Sequence, residues 1–563
     1  MAKFRLSIPF ICLSLCILSR ASESPVVKTN YGPVRGKTVQ ISTENDQIDM
    51  FLGVPFAKPP VNELRFEKPV PPDHWTLKET LEYQSSCLPL IIPERSAKFL
   101  YWTEKYDEDC LYLNIFSPHK SNYQLNIDTP KLPVLVLIHG GIFLFSSSFR
   151  YSNYIDIGQK YVNQGIIVVT LTHRLGVFGF ASTGDYNLPG NLGLWDLTEA
   201  LKFVNENIGY FGGDPQQVTL YGYSAGSALI GALSLSPNSA DYFSQAAQFS
   251  SSILSGRGTG AHVVESTLEL AQSVNCQSSD TLKMKACLKA LKTQDLIFAI
   301  KEQALLTSSK KQFGTPTFGP LVDHDFFQGI DYTDLMRIRA KNSKPTMIGY
   351  NNLDGFFHTL LMNKNFTYFN LAVPYEHLKS FGYEDFKAFA ELEDQIVEFY
   401  VGHKSADKNA TFYLEQYTLL VSDLLFTVPI LWEARVKAVN NWPLYLYVIT
   451  YASSSYHTKD DDYLFKTLTQ TKEFSKSDQK LEEQLVNSLR NFVKHGDPSF
   501  GSVKWPLADA KTFRRMRFDL PNAVIEDSTE DFRRVEFWDG LIKLTDYNLV
   551  RDIFVNKSNK NEL

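Results

Sequence analysis

The stretch QVTLYGYSAG, residues 217–226, decides the fold. Gln217 to Tyr221 reads as a buried strand, and Ala225 to Leu233 reads as the start of a helix. Between them Ser224 stands with Gly222 two residues before it and Gly226 two residues after. A chain that passes from strand to helix in so few residues holds its central residue in strained backbone, and only small flanking residues escape a clash there. The turn exposes the serine hydroxyl. The unpaired N–H groups and positive dipole end of the helix then favour an anion that forms beside it. A G-x-S-x-G pattern arises readily by chance, so the surrounding chain has to carry the reading.

Working outward, PVLVLIHGG (133–141), GIIVVTLT (165–172), KPTMIGYN (344–351) and PLYLYVIT (443–450) are apolar runs bounded by proline or glycine. They have the pattern of strands buried on both faces of a mostly parallel sheet. DLTEALKFVNENI (196–208) and KLEEQLVNSLRNFVKH (480–495) repeat apolar residues at helical spacing. This alternation predicts α/β layers, with a large central, mostly parallel sheet flanked by helices. No internal repeat, low-complexity linker or composition shift marks a boundary. Residues 22–563 therefore read as a single domain with insertions, although a length of 563 residues alone suggests several domains.

Lys3 and Arg5 precede an apolar run from Leu6 to Leu18, and Ser19 and Ala21 bracket Arg20 as at a cleavage site. Residues 1–21 read as a signal peptide, the run being short for a membrane anchor. Cleavage removes three cations and takes the formal charge from −6 to −9, a balance that does not invite nucleic acid. No other apolar run reaches the length of a membrane span, and the C-terminus lacks a lipid-anchor tail. Cys12 and Cys16 leave with the signal, so Cys87, Cys110, Cys276 and Cys287 remain in an oxidising compartment. Four cysteines permit three connectivities. The sequential one, Cys87 with Cys110 and Cys276 with Cys287, closes two short local loops and is preferred. Asn365, Asn409 and Asn556 begin N-x-[ST] sequons, of which at least one is expected to carry a glycan. The last residues, Lys560-Asn561-Glu562-Leu563, differ at one position from the K-D-E-L retention signal. They favour the endoplasmic reticulum lumen and a retention receptor, with secretion and a frayed, solvated tail as the alternative.

A serine nucleophile needs a base, and the base needs an orienting acid. In this architecture the chain order is serine, acid, histidine. His358, His377, His403, His457 and His495 all follow the 344–351 strand, each with an ordinary surface imidazole as the alternative. His457 is favoured because it follows the 443–450 strand after a short loop, and parallel sheets deliver functional side chains at their carboxyl ends. Asp354 lies just past the strand ending near Tyr350; the alternative there is an Asp-Gly turn with Gly355. HGGIF (139–143) follows a strand and resembles the H-G-G-G loop that supplies further N–H donors to an oxyanion.

FLGVPFAKPPVNELRF (51–66), EDCLYLNIF (108–116), RLGVFGF (174–180), GNLGLWD (190–196) and FGGDPQQVTLYGYSAG (211–226) together resemble the motifs of type-B carboxylesterases, the family that includes the cholinesterases. The resemblance runs through nearly the whole mature chain. LSLSP (233–237) and the retention-like tail are similar to nematode gut esterases. The resemblance implies an α/β-hydrolase fold and hydrolysis of small or medium carboxylic esters through an acyl-enzyme, without cofactor or metal. It implies Ser224 as nucleophile, Asp354 in GYNNLDGFF as the acid and His457 in HTKDDDYLF as the base. The N–H groups of Gly141, Ile142 and Ala225 become the oxyanion donors. Both disulfides match the family's loops, and Arg65 with Glu108 resembles a buried ion pair that positions the first of them.

Three departures carry consequences. Asp354 stands where the family usually has glutamate, and Tyr223 where cholinesterases have an acidic residue. Ile142 replaces the last glycine of H-G-G-G; at positive φ a β-branched residue there costs about 1–2 kcal/mol. A misaimed donor lowers turnover on the order of 100-fold, and the side chain narrows the acyl pocket. Tyr101 and Trp102 lie in the Cys87–Cys110 loop, where cholinesterases carry an aromatic face for a quaternary ammonium. The loop's length and register differ, so choline esters are not expected. Two rivals remain: an esterase-fold binding protein without catalysis, and a slow enzyme that sequesters acylating agents.

Overall fold

In the computed structural model the apolar runs of the sequence form the middle of a sheet. The structure describes residues 24–43, 46–89, 104–119, 130–256, 260, 262–307, 318–356, 369–379, 389–402, 408–451, 457–467, 473–519, 522–551 and 553–555. Among these, an 11-stranded sheet is built from β1 (Lys37–Gln40), β2 (Gln47–Pro55), β3 (Tyr112–Pro118), β4 (Leu132–Ile138), β5 (Ile167–Leu171), β6 (Gly213–Tyr223), β7 (Gln245–Phe249), β8 (Thr346–Asn351), β9 (Leu444–Ile449), β10 (Arg515–Phe518) and β11 (Val524–Glu526). Their spatial order is β11-β10-β9-β8-β7-β6-β4-β5-β3-β2-β1. From β10 to β5 every pairing is parallel, and the strands beyond, at both edges, pair antiparallel. This is the α/β-hydrolase fold that the resemblance implies.

The continuous apolar runs follow from burial on both faces. Along β4, Val134, Val136 and Ile138 enter one core while Leu135 and Leu137 enter the other. The first core is shared with α1 (Leu192–Asn207), α2 (Ala225–Leu235) and α4 (Val428–Val439), α3 (Ala410–Ser422) joining from beside α4. The second is closed by α5 (Lys459–Phe465) and α6 (Lys476–His495). The capping box of Ser475 with Asp478 starts α6, and Gly496 at φ 70° stops it. Among the described residues no helix is long and apolar enough to cross a membrane.

Cys87–Cys110 and Cys276–Cys287 are bonded, as the sequential pairing expects. Arg65 binds Glu108 through two hydrogen bonds of 2.7 and 2.6 Å, and it also donates to the carbonyl of Lys289 at 2.9 Å. The ion pair thus ties the loop beside the first disulfide to the helix that carries the second.

Candidate active site

β6 delivers Ser224 at the carboxyl edge of the sheet, between antiparallel-free neighbours β4 and β7. Ser224 caps α2 at φ 53° and ψ −131°, in the left-handed half of backbone space that side chains avoid. Its N–H is held by the carbonyl of Phe249 on β7 at 2.7 Å. The flanking glycines are required by crowding. A Cβ on Gly222 would lie 2.6 Å from the backbone of Gly226, and one on Gly226 would lie 2.3 Å from the carbonyl oxygen of Ile138.

The three residues favoured in the sequence, Ser224, Asp354 and His457, come together. His457 Nε2 lies 2.8 Å from Ser224 Oγ, and His457 Nδ1 lies 3.1 Å from Asp354 Oδ1. Asp354 is wholly buried, His457 is 4% exposed and Ser224 is 6% exposed. Asn351, at the end of β8, fixes the carboxylate: its backbone N–H donates to Asp354 Oδ2 at 2.9 Å, and its side-chain amide donates to Oδ1 at 3.2 Å. Gly355 leaves room for α3, because a Cβ there would lie 2.5 Å from the N of Ser422. The Asp-Gly pair is therefore a close packing point as well as a turn.

The loop after β4 approaches Ser224 from the other side. A Cβ on Gly140 would lie 2.8 Å from the carbonyl oxygen of Tyr223 and 2.9 Å from its ring. Gly141 has φ 108°, Ile142 φ 48° and Phe143 φ 64°, so the loop does need positive φ where isoleucine replaces glycine. Ile142 is partly buried against the core. Among the described residues, the N–H groups of Gly141, Ile142 and Ala225 make no backbone hydrogen bond outside the helices and strands.

Several residues around this centre escape the sequence reading. Phe426, in the π-helical turn Asp423–Thr427 between α3 and α4, packs its ring 4.5 Å from that of His457. Asp460 is fully buried and accepts from the hydroxyl of Ser250 at 3.0 Å; Ser250 in turn accepts from the side-chain amide of Asn351 at 2.9 Å. Burial, with Asp354 and Asp461 nearby, pushes the Asp460 carboxyl up to about 7. The signal available was the run Asp460-Asp461-Asp462, which on pattern alone resembles a solvated acidic face, yet all three residues are buried.

Of the other candidates, His495 ends α6, and His377 lies in the helix Ala372–Lys379. Asn409 is exposed and caps α3 by accepting from the N–H of Phe412 at 3.0 Å. His358, His403, Tyr101, Trp102, Asn365, Asn556, residues 1–21 and the tail 560–563 lie outside the described residues.

Residues 23–538 match the model of the Carboxylesterase family. The chain is 31% identical to Gut esterase 1 of Caenorhabditis briggsae, with 98% of this chain and 99% of that protein covered. Gut esterase 1 of Caenorhabditis elegans gives the same identity and coverage. Carboxylesterase 5A of Mus musculus is 30% identical over 93% of this chain and 90% of its own length.

Proposed function

Since the chain belongs to the carboxylesterase family, and is an esterase on that ground, we propose that it cleaves small and medium carboxylic esters through Ser224, His457 and Asp354. The reading is carried by one observation: the 2.8 Å contact from Ser224 Oγ to His457 Nε2, continued at 3.1 Å from Nδ1 to Asp354. In the resting enzyme Nδ1–H donates to Asp354 and Nε2 accepts from the serine hydroxyl. As Oγ attacks the ester carbonyl, its proton passes to Nε2 and the carbonyl oxygen becomes an anion facing the N–H groups of Gly141, Ile142 and Ala225. The imidazolium then gives its proton to the leaving alkoxide, and an acyl-enzyme remains on Ser224. Water, deprotonated by the same nitrogen, repeats the sequence and releases the acid.

Asp354 is one methylene shorter than the glutamate usual in the family. Its two hydrogen bonds from Asn351 hold it at the length His457 requires. Ile142 favours the slow-turnover alternative, since its φ of 48° places a β-branched side chain where it costs about 1–2 kcal/mol. The chain enters the secretory pathway through residues 1–21, carries a glycan on one or more of its sequons, and is held in the endoplasmic reticulum by Lys560–Leu563. Both disulfides fit an oxidising compartment. Treatment with an organophosphorus reagent that esterifies serine, followed by peptide mapping, tests the site. One adduct on Ser224 is expected; a folded protein that remains unlabelled there overturns the assignment.

A further inference from the structure

Arg150 and Asp461 stand apart from the proposed chemistry, yet they join three of the segments that carry it. Arg150 lies in the turn Ser148–Tyr151 that follows the Gly140–Phe143 loop, and Asp461 lies in α5, four residues after His457. Arg150 Nε donates to Asp461 Oδ2 at 2.6 Å; Arg150 is 7% exposed and Asp461 is fully buried. The other carboxylate oxygen accepts from the hydroxyl of Tyr221, on the strand that delivers Ser224, at 3.0 Å, and from that of Tyr151 at 3.3 Å. The Arg150 guanidinium lies 4.5 Å from the centroid of the Tyr223 ring. Tyr223 immediately precedes the nucleophile, presses against Gly140, and lies 6.2 Å ring to ring from His457.

A buried ion pair is weak evidence for stability, because replacing both partners with apolar groups of similar volume is often neutral or stabilising. The best-attested return for its desolvation is a fixed register between elements. Three segments meet on this one pair: the oxyanion-side turn, the nucleophile strand and the helix that follows His457. We infer that Arg150 and Asp461 are positioning residues that hold the His457 loop in register with the Ser224 turn and the 140–143 loop. The inference rests on the reading of Ser224 and His457 given above. Neither residue touches the ester; both act through the backbone of α5 and through the Tyr223 ring. A misplacement of about 1 Å in such a site costs on the order of 100-fold in rate.

The test compares Arg150→Met, Asp461→Asn and the double variant Arg150→Met/Asp461→Leu in the full chain, using p-nitrophenyl acetate. Each single variant leaves one buried charge uncompensated and loses thermal stability. The double variant regains it, with kcat still down about 100-fold and KM within about threefold of wild type. A double variant with wild-type stability and wild-type kcat overturns the inference, since the pair is then only structural.

Among the charged and titratable groups at this site, Asp354 from β8 accepts from His457, the Tyr223 ring lies 6.2 Å from the imidazole, Arg150 lies over that ring, and Asp460 and Asp461 follow His457 by three and four residues. Against that set the single variants move the acid limb of kcat/KM in opposite directions. Arg150→Met, which leaves the carboxylate, moves it to higher pH, and Asp461→Asn, which leaves the cation, moves it to lower pH. If the double variant does not fold, these limbs decide, and two unmoved limbs overturn the inference. A wild type without turnover contradicts the reading of the site and not the clamp. Hydrogen exchange of Lys459–Phe465 then judges the clamp: faster exchange in Asp461→Asn supports it, and unchanged exchange overturns it.

Discussion

The serine side and the histidine side of the site are held by different physics. Ser224 is fixed by backbone crowding: Gly222, Gly226 and Gly140 exist because a Cβ at any of them would lie within 2.8 Å of a backbone atom. His457 is held by a buried polar side chain, Asp354, itself fixed by Asn351, and the helix α5 that follows it is anchored by Asp460 on Ser250 and Asp461 on Arg150. Hard-sphere contacts do not respond to pH, whereas buried carboxylates do. The serine side is therefore rigid across conditions, and the histidine side is where acidity and single charges can act.

The comparison breaks first at the glycines. Gly226→Ala would place a methyl 2.3 Å from the carbonyl oxygen of Ile138, where the obstacle is backbone and does not yield. The expected result is a loss of about 3 kcal/mol or more in denaturant unfolding, with no soluble active enzyme. Wild-type stability would show that the elbow has room to relax. On the histidine side, Asp354→Asn keeps the shape and removes the charge. Turnover falls on the order of 10⁴-fold while the unfolding midpoint moves little, as measured by ester hydrolysis and circular dichroism.

Ile142 sharpens the contrast, because it is a side chain set where the backbone calls for glycine. Ile142→Gly relieves the left-handed strain of about 1–2 kcal/mol, which appears as a higher melting temperature. Turnover on bulky acyl esters rises, by up to about 100-fold if the strain misaims the N–H donor. An unchanged acyl preference and rate would make Ile142 a passive substitution.

The smallest effect is a slope. Burial pushes the Asp423 carboxyl, in the turn that carries Phe426, from its ordinary 3.8 to about 6. A carboxyl with a raised folded-state pKa binds its proton more tightly folded than unfolded. Its stabilising contribution is therefore full below pH 3.8 and is lost as the pH climbs to about 6. Asp460 acts in the same sense up to about pH 7. Denaturant unfolding from pH 4 to pH 7 should show stability declining on this account, and Asp423→Asn should flatten the lower part of that decline by on the order of 2 kcal/mol.

The same contrast explains what the sequence made legible. Backbone constraints leave glycines and apolar runs that a reader can see, so the elbow, β4, β5, β8 and β9 and the helices α1 and α6 are readable from spacing. β7 is QAAQF and β10 is RMRF. Their polar letters hide them, because Gln248 is satisfied by Glu433 and Lys437, and Arg515 by Glu526 and Asp531. Chain order left five histidines open, and the position of His457 after β9 was the feature that separated it. The polar scaffold behind it was not readable. The partners of Asp460 and Asp461 include Ser250, Arg150 and Tyr221, which are distant in sequence and meet them only after folding.

The central claim is that Ser224, activated by His457, makes this chain a working esterase. The most direct measurement is the hydrolysis of a short-chain and a long-chain p-nitrophenyl ester by the purified protein, with Ser224→Ala alongside. The account predicts turnover by the wild type, faster on the short acyl chain, and a loss of at least about 10⁴-fold in the variant. Equal rates in the two proteins, or no turnover by a well-folded wild type, would contradict it.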